Sequence, residues 1–196
     1  MKRSIQLLPL STLILFILIS CNKNVDIKTN QVLDPSISLK QASFHIGQHY
    51  GGGIIFYIDS TGQHGLIAAK ADTEEPALWA YKDSLLGVRS SRIGAGKRNT
   101  RKTYIILGDQ GEGSDYAALR ALEFTYKDLH DWYLPSKEEL NLLYIQKEVI
   151  GGFSPFAYWS STEYDENLAW FQNFSNGQQI KSDKITSYGV RPIRSF

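Results

Sequence analysis

Apart from Cys21 the 196-residue chain has no cysteine, and apart from Met1 no methionine. One thiol cannot form an internal disulfide, and chemistry that needs a pair of reactive cysteines is excluded. Stability must therefore come from a core; a domain of about 150 residues buries roughly 68–70 % of its unfolded surface, which suffices. No Gly-x-Ser-x-Gly elbow is present. The triple glycine Gly51, Gly52, Gly53 has no Gly-Lys-Ser/Thr after it and leads into a strand, so it is not a phosphate loop; it reads as a bulge or a close backbone approach. Charge of one sign is lacking too: 21 basic and 20 acidic side chains give a formal net charge of +1. That balance argues against a nucleic-acid partner, and any polyanion must be met by a local patch.

Long apolar runs are confined to the N-terminus. Lys2 and Arg3 precede a Leu- and Ile-rich stretch from Ile5 to Ile19, interrupted by Pro9, Ser11 and Thr12. That length suits a secretory signal and is short for a membrane span. Leu18, Ile19, Ser20 and Cys21 resemble the lipobox of bacterial lipoproteins, which implies cleavage before Cys21 and acylation of its sulfur. More than one acyl chain, at ~0.8 kcal/mol per buried methylene, makes such anchoring stable. The expected division is a signal peptide at 1–20, a lipidated Cys21 with a disordered tether at 21–42, and one globular domain at 43–196. The tether is rich in Asn, Lys, Asp, Ser and Gln and has no apolar period. Removing Lys2 and Arg3 takes the formal charge from +1 to −1. The expected location is the bacterial cell envelope, lipid-anchored in the outer membrane.

Within the domain, Ile54, Ile55, Phe56, Tyr57 and Ile58 predict a buried strand, and Gly65 to Ala69 its return after a turn. Residues 71–83 read as an irregular loop. Residues 115–124 predict a helix with Ser114 as N-cap. Pro135 keeps Leu134 extended, and Ser136 with Glu139 has the spacing of a capping box, so a second helix starts there. Leu140, Leu143 and Tyr144 give it one apolar face. Strands are expected at 157–162, 169–175 and 188–193, with Asn176-Gly177 closing a hairpin as a type I′ turn. This order argues α+β, two helices packed on mainly antiparallel sheet.

The most unusual stretch is 89–102. It holds Arg89, Arg92, Lys97, Arg98, Arg101 and Lys102, and no acid occurs between Asp83 and Asp109. Gly94 and Gly96 suggest a flexible loop there. Arginine's planar fork suits oxyanions, so these six are the candidate contacts for an acidic partner. A segment that pairs with the acids of 109–139, or simply stands in solvent, is the competing reading. His45 and His49, four apart in an extended region, would lie about 13 Å from each other and make no metal pair. Glu163, Asp165, Glu166 and Asn167 offer oxygen ligands that would suit calcium, with a solvated turn as the alternative. Trp132, Trp159 and Trp170 are expected in the core, and Tyr164, in a loop, is the candidate stacking ring. Ser160 and Ser161 have no base partner in the pattern.

Several blocks resemble the Lcl C-terminal domain family: 50–57 with its three glycines, 64–69, 93–100, 131–144, 158–162, 169–177 and 190–194. The resemblance covers about 44–196. It implies an adhesin-type domain, since the family's namesake binds sulfated glycosaminoglycans. The Leu-Pro-Ser-x-x-Glu-Leu and Trp-Ser-Ser blocks also resemble the C-type-lectin-like and formylglycine-generating-enzyme folds, which implies a compact α+β domain with adjacent N- and C-terminal strands. The lectin Glu-Pro-Asn motif is missing. The expectation is a non-enzymatic envelope lipoprotein without metal or cofactor. Its domain would bind anionic glycans or another envelope component. The alternative is a structural subunit that assembles with itself or with a partner protein.

Overall fold

The computed structural model describes residues 43–81, 85–108 and 115–196, within one compact unit spanning 41–196. The signal, Cys21 and the tether lie outside the described residues, as does Ser114. The fold is α+β with antiparallel sheets. Strands β1 (His49–Tyr50), β2 (Gly53–Ile58), β3 (Gly65–Ala68) and, from the far end of the chain, β9 (Ile193–Ser195) form one sheet in the order β1-β2-β3-β9. Strands β4 (Ala77–Leu78) and β8 (Ser187–Tyr188) pair with each other, and β5 (Ala157–Glu163), β6 (Leu168–Asn173) and β7 (Gln179–Asp183) form a meander. The connecting helices are α1 (Gly96–Leu107), α2 (Ala117–Glu123), α3 (Lys137–Ile145) and α4 (Lys147–Ile150).

The triple glycine has a steric cause. A Cβ on Gly53 would stand 2.0 Å from the Ala68 carbonyl oxygen across the β2–β3 pair, and Gly51 and Gly52 have φ of +50° and +87°. Three apolar clusters fill the interior. One gathers Trp79, Leu107, Tyr116 and Trp159, another Phe56, Leu143, Tyr158 and Phe174, and a third Ile55, Ile67 and Trp132. Each fully buried large side chain contributes about 1.5–3 kcal/mol.

Five expectations need correction. There are four helices among the described residues, not two. The longest, α1, occupies half of the stretch read as a flexible loop. Its inward face is Gly96, Asn99, Thr100, Thr103 and Leu107, a helical spacing made mostly of small polar residues, so no apolar stripe announced it. The expected last strand at 188–193 is split between two sheets: β8 pairs with β4 and β9 with β3. Pro192 lacks an N–H and Arg191 turns inward to full burial, which breaks the strand between them. The hairpin around Asn176 and Gly177 is present, but its loop spans four residues and only Gly177 has a positive φ, +81°. A type I′ turn requires two such residues, so that turn type is wrong. Trp170 is only half-buried, because the Lys137 ammonium lies 3.7 Å over its ring and covers it in place of core. Residues 71–83 are not merely irregular, since they supply β4 and the fully buried Trp79.

Candidate functional site

The sequence blocks singled out above converge on one buried junction. Ser136 accepts from the Glu139 N–H at the start of α3, and the Glu139 carboxylate accepts from the Ser136 N–H at 2.7 Å, completing the capping box. The same carboxylate accepts from the Gly94 N–H at 2.7 Å, just ahead of α1. One side chain thus serves two helix entries. Gly96 is obligatory there, because a Cβ would stand 2.2 Å from Glu139 Oε2 and 2.8 Å from the Leu134 carbonyl. Thr100 donates to the Leu134 carbonyl and accepts from its N–H. Burial pushes the Glu139 carboxyl above its ordinary range, against the pull of its N–H donors.

The strand block plugs into the same junction. Ser161 N–H donates to the Pro135 carbonyl at 2.7 Å. The Thr162 hydroxyl accepts from the Lys137 N–H and donates to the Ser90 carbonyl. Ser160 donates to the Trp170 carbonyl. Both serines are therefore structural, as their lack of a base partner implied. Glu163 belongs to β5 rather than to an open acidic loop. It is fully buried against the equally buried Lys184 at 2.8 Å and accepts the N–H groups of Leu86 and Gly87. Asp165 accepts from the Asn167 and Leu168 N–H groups in its own turn. No cluster of three metal-binding side chains occurs among the described residues, and His45 and His49 are exposed.

The six candidate cations all face solvent. Lys97, Arg98, Arg101 and Lys102 sit on the outer side of α1, and Arg89 and Arg92 on the segment leading into it. Lys102 donates to the Gly87 carbonyl; the other five side chains make no hydrogen bond or ion pair with a described residue. Against the competing reading, pairing with the acids of 109–139, no direct ion pair joins the six to a described acid, although the Lys97 charge acts on Asp131. Asp115 is taken by Arg120, Asp131 by Arg194 at 2.8 Å, and Glu138 accepts from Ser91. Partial burial raises the Asp131 carboxyl, yet the Arg194 hydrogen bond and charge bring it below the usual carboxylate range. Lys97 and Arg101 border a groove of about 440 Å3 that Glu123, Asp131, Trp132 and Tyr133 also line, and Arg98 and Lys102 border one of about 340 Å3.

Two of these cations, Lys97 and Arg98, stand in the first turn of α1, where they oppose the helix dipole. The first turn of α1 holds no acid and its last turn no base. Cations at a helix N-terminus cost roughly 0.3–1 kcal/mol each where acids would gain it. The helix dipole therefore does not account for Lys97 and Arg98.

Tyr164 is exposed, as expected, but its ring is not bare. Lys181 lies 4.0 Å over it, and Trp170 meets it edge-on at 5.8 Å. One feature had no signal in the sequence, a cavity of about 570 Å3 between residues 72–76, 154–158 and the ends of β6 and β8. At its back Tyr158 donates to Asp72 at 2.6 Å, and Arg191 holds the other Asp72 oxygen at 2.5 Å. Burial and the adjacent Asp72 carboxylate push the Tyr158 hydroxyl up to about 12. These residues lie far apart in the chain, so no local spacing could reveal them.

The fold and surface define a small α+β domain with a locked polar junction and a free cationic helix face. The model of the Lcl C-terminal domain family matches residues 72–194, and the chain belongs to that family. The match begins at Asp72, beyond the β2–β3 hairpin, although β9 pairs with β3 and joins that hairpin to the same unit. Among curated proteins no match is found. No helix among the described residues is long and apolar enough to cross a membrane.

Proposed function

We propose that this protein is a cell-envelope lipoprotein, held in the outer membrane by acyl groups on Cys21, whose domain is a non-catalytic binding module for an anionic glycan. The carrying observation is the outer face of α1 with its lead-in: six exposed cations, five of them without a partner among the described residues. Four are arginines, which bind sulfate and carboxylate groups bidentately. The compact fold, with β3 and β9 paired near the two ends of the domain, supports a C-type-lectin-like architecture. The structural use of Ser160, Ser161 and Glu163 supports a role without catalysis.

The test is retention on a sulfated-glycan column. The Arg98→Ala/Arg101→Ala/Lys102→Ala variant should elute at lower salt than wild type, because exposed charges are screened over ~8 Å at physiological ionic strength. Equal elution sinks the assignment. Unchanged fatty-acid labelling of Cys21→Ser sinks the anchor.

A second reading has its own observation. Ile105 is 70 % exposed and Ile106 and Tyr104 lie beside it on α1. An apolar strip at the end of a basic helix supports assembly, with a copy of itself or with another envelope protein. A salt-insensitive oligomer that ignores glycans would favour that reading.

A further inference from the structure

We propose that the cavity backed by Asp72 and Tyr158 is a second binding site and takes a neutral hexopyranose ring. Its volume, about 570 Å3, lies in the range of small-ligand sites, roughly 300–1,000 Å3. The lining holds two carboxylates, Asp72 and Glu74, and no lysine or arginine. An anion is disfavoured there, in contrast to the α1 face.

The acceptors are fixed in place. Asp72 is gripped by Tyr158 and Arg191. Arg191, fully buried, is itself anchored by donating to the carbonyls of Ala69, Gly151 and Gly152. The Asp72 side chain keeps 22 % exposure, so its spare lone pairs reach the cavity. Glu74 is exposed and makes no hydrogen bond or ion pair with a described residue, its charge acting on Arg120 from a distance.

Donors converge as well. Asn173 Oδ1 accepts from both the N–H and the hydroxyl of Ser175. Its Nδ2 has no acceptor among the described residues. An ammonium ligand only donates and would leave that amide unmet. A hydroxyl donates and accepts, and adjacent ring hydroxyls satisfy Asp72 or Glu74 and Asn173 together.

The rim supplies the apolar partner. Phe156 is 72 % exposed, and Pro76 and Pro155 flank the opening. A sugar's C–H face packs on such a ring. A free amide donor, one carboxylate held in place, a second exposed one and a bare aromatic ring in one cavity are what a pyranose requires. No residue of α1 lines it, so the proposal stands apart from the polyanion reading.

The experiment is an amide-resolved NMR titration of the protein with the methyl glycosides of glucose, galactose, mannose and N-acetylglucosamine. At least one should give saturable shifts at the Asn173 side-chain amide and the Gly189 backbone amide. Phe156→Ala should weaken that binding about tenfold with an unchanged melting temperature, since the ring is exposed. Arg98→Ala/Arg101→Ala/Lys102→Ala should bind the glycoside normally, whatever its polyanion retention. The proposal is overturned by a panel without saturable shifts, by binding indifferent to Phe156→Ala, or by the same shifts from methylammonium chloride.

Discussion

The junction around Glu139 and the outer face of α1 are built from the same stretch of chain by opposite rules. At the junction, polar groups are buried and nearly all paired; Thr103 Oγ1 is the one buried side-chain atom without a partner among the described residues. On the other side of the same helix and on the segment leading into it, five exposed cations make no hydrogen bond or ion pair with a described residue. Burial explains the first pattern, because an unmet polar group costs about 1–3 kcal/mol there. Nothing in folding explains the second. The contrast separates two uses of the same stretch: Gly-Ala-Gly, Leu-Pro-Ser and Trp-Ser-Ser are fastenings, and the cations beside them stay exposed.

The contrast can be broken most severely at Glu163. Glu163→Ala leaves Lys184 buried without its carboxylate and two N–H groups without an acceptor. The expected loss is about 3–5 kcal/mol, read from urea unfolding. A loss under about 1 kcal/mol would show that water enters the pair and that the junction is not sealed.

Glu139→Gln comes next, at about 1–3 kcal/mol, because one amide oxygen cannot serve donors at both helix entries. Its pH dependence has a definite sign. The folded-state value of Glu139 lies above its unfolded one, so the folded state binds the extra proton and wild-type stability falls as pH rises through that window. The advantage of wild type over the variant should therefore shrink from about pH 4 upward. A constant gap would mean that the carboxyl is not perturbed by burial.

Smaller effects lie at the ends of these elements. Gly177→Val should cost about 1–3 kcal/mol, since φ is +81° and a Cβ would meet the Tyr144 ring at 2.4 Å. Ser136→Ala should cost about 1 kcal/mol through the lost cap. Thermal melts rank the two, and a neutral Gly177→Val contradicts the loop geometry.

The smallest effect belongs to the cationic face. Arg98→Ala/Arg101→Ala/Lys102→Ala should change stability by no more than about 0.5 kcal/mol, since the three side chains are exposed. Chemical denaturation measures it. A large loss would place these side chains on the structural side of the comparison.

Local signals were enough for β2, β3 and α3 and for the presence of α2, whose N-cap position is Tyr116, without a side-chain cap bond, and not the expected Ser114. The capping box at Ser136 and Glu139 and the strand at 54–58 depend on neighbours in sequence, and they are where the spacing put them. The exposed cations and the exposed Tyr164 were legible for the same reason. Helix α1 was not, because its buried face of Gly96, Asn99, Thr100 and Thr103 looks polar until Leu134 and Ser90 are brought alongside. Glu163 misled in the opposite direction, since three nearby polar residues made a buried strand end look like a loop.

By itself the sequence determined the α+β class, the family motifs, the capped helix and the unusual concentration of positive charge. These follow from backbone sterics, hydrophobic period and composition, all of which act over a few residues. Tertiary structure alone decided that Glu139 serves two helices, that Glu163 and Lys184 are buried partners, and that Asp72, Tyr158 and Arg191 meet at a cavity. Asp72 and Arg191 are 119 residues apart. Whether such groups stay in water or pair in the interior depends on which segments pack together, and no local spacing encodes that.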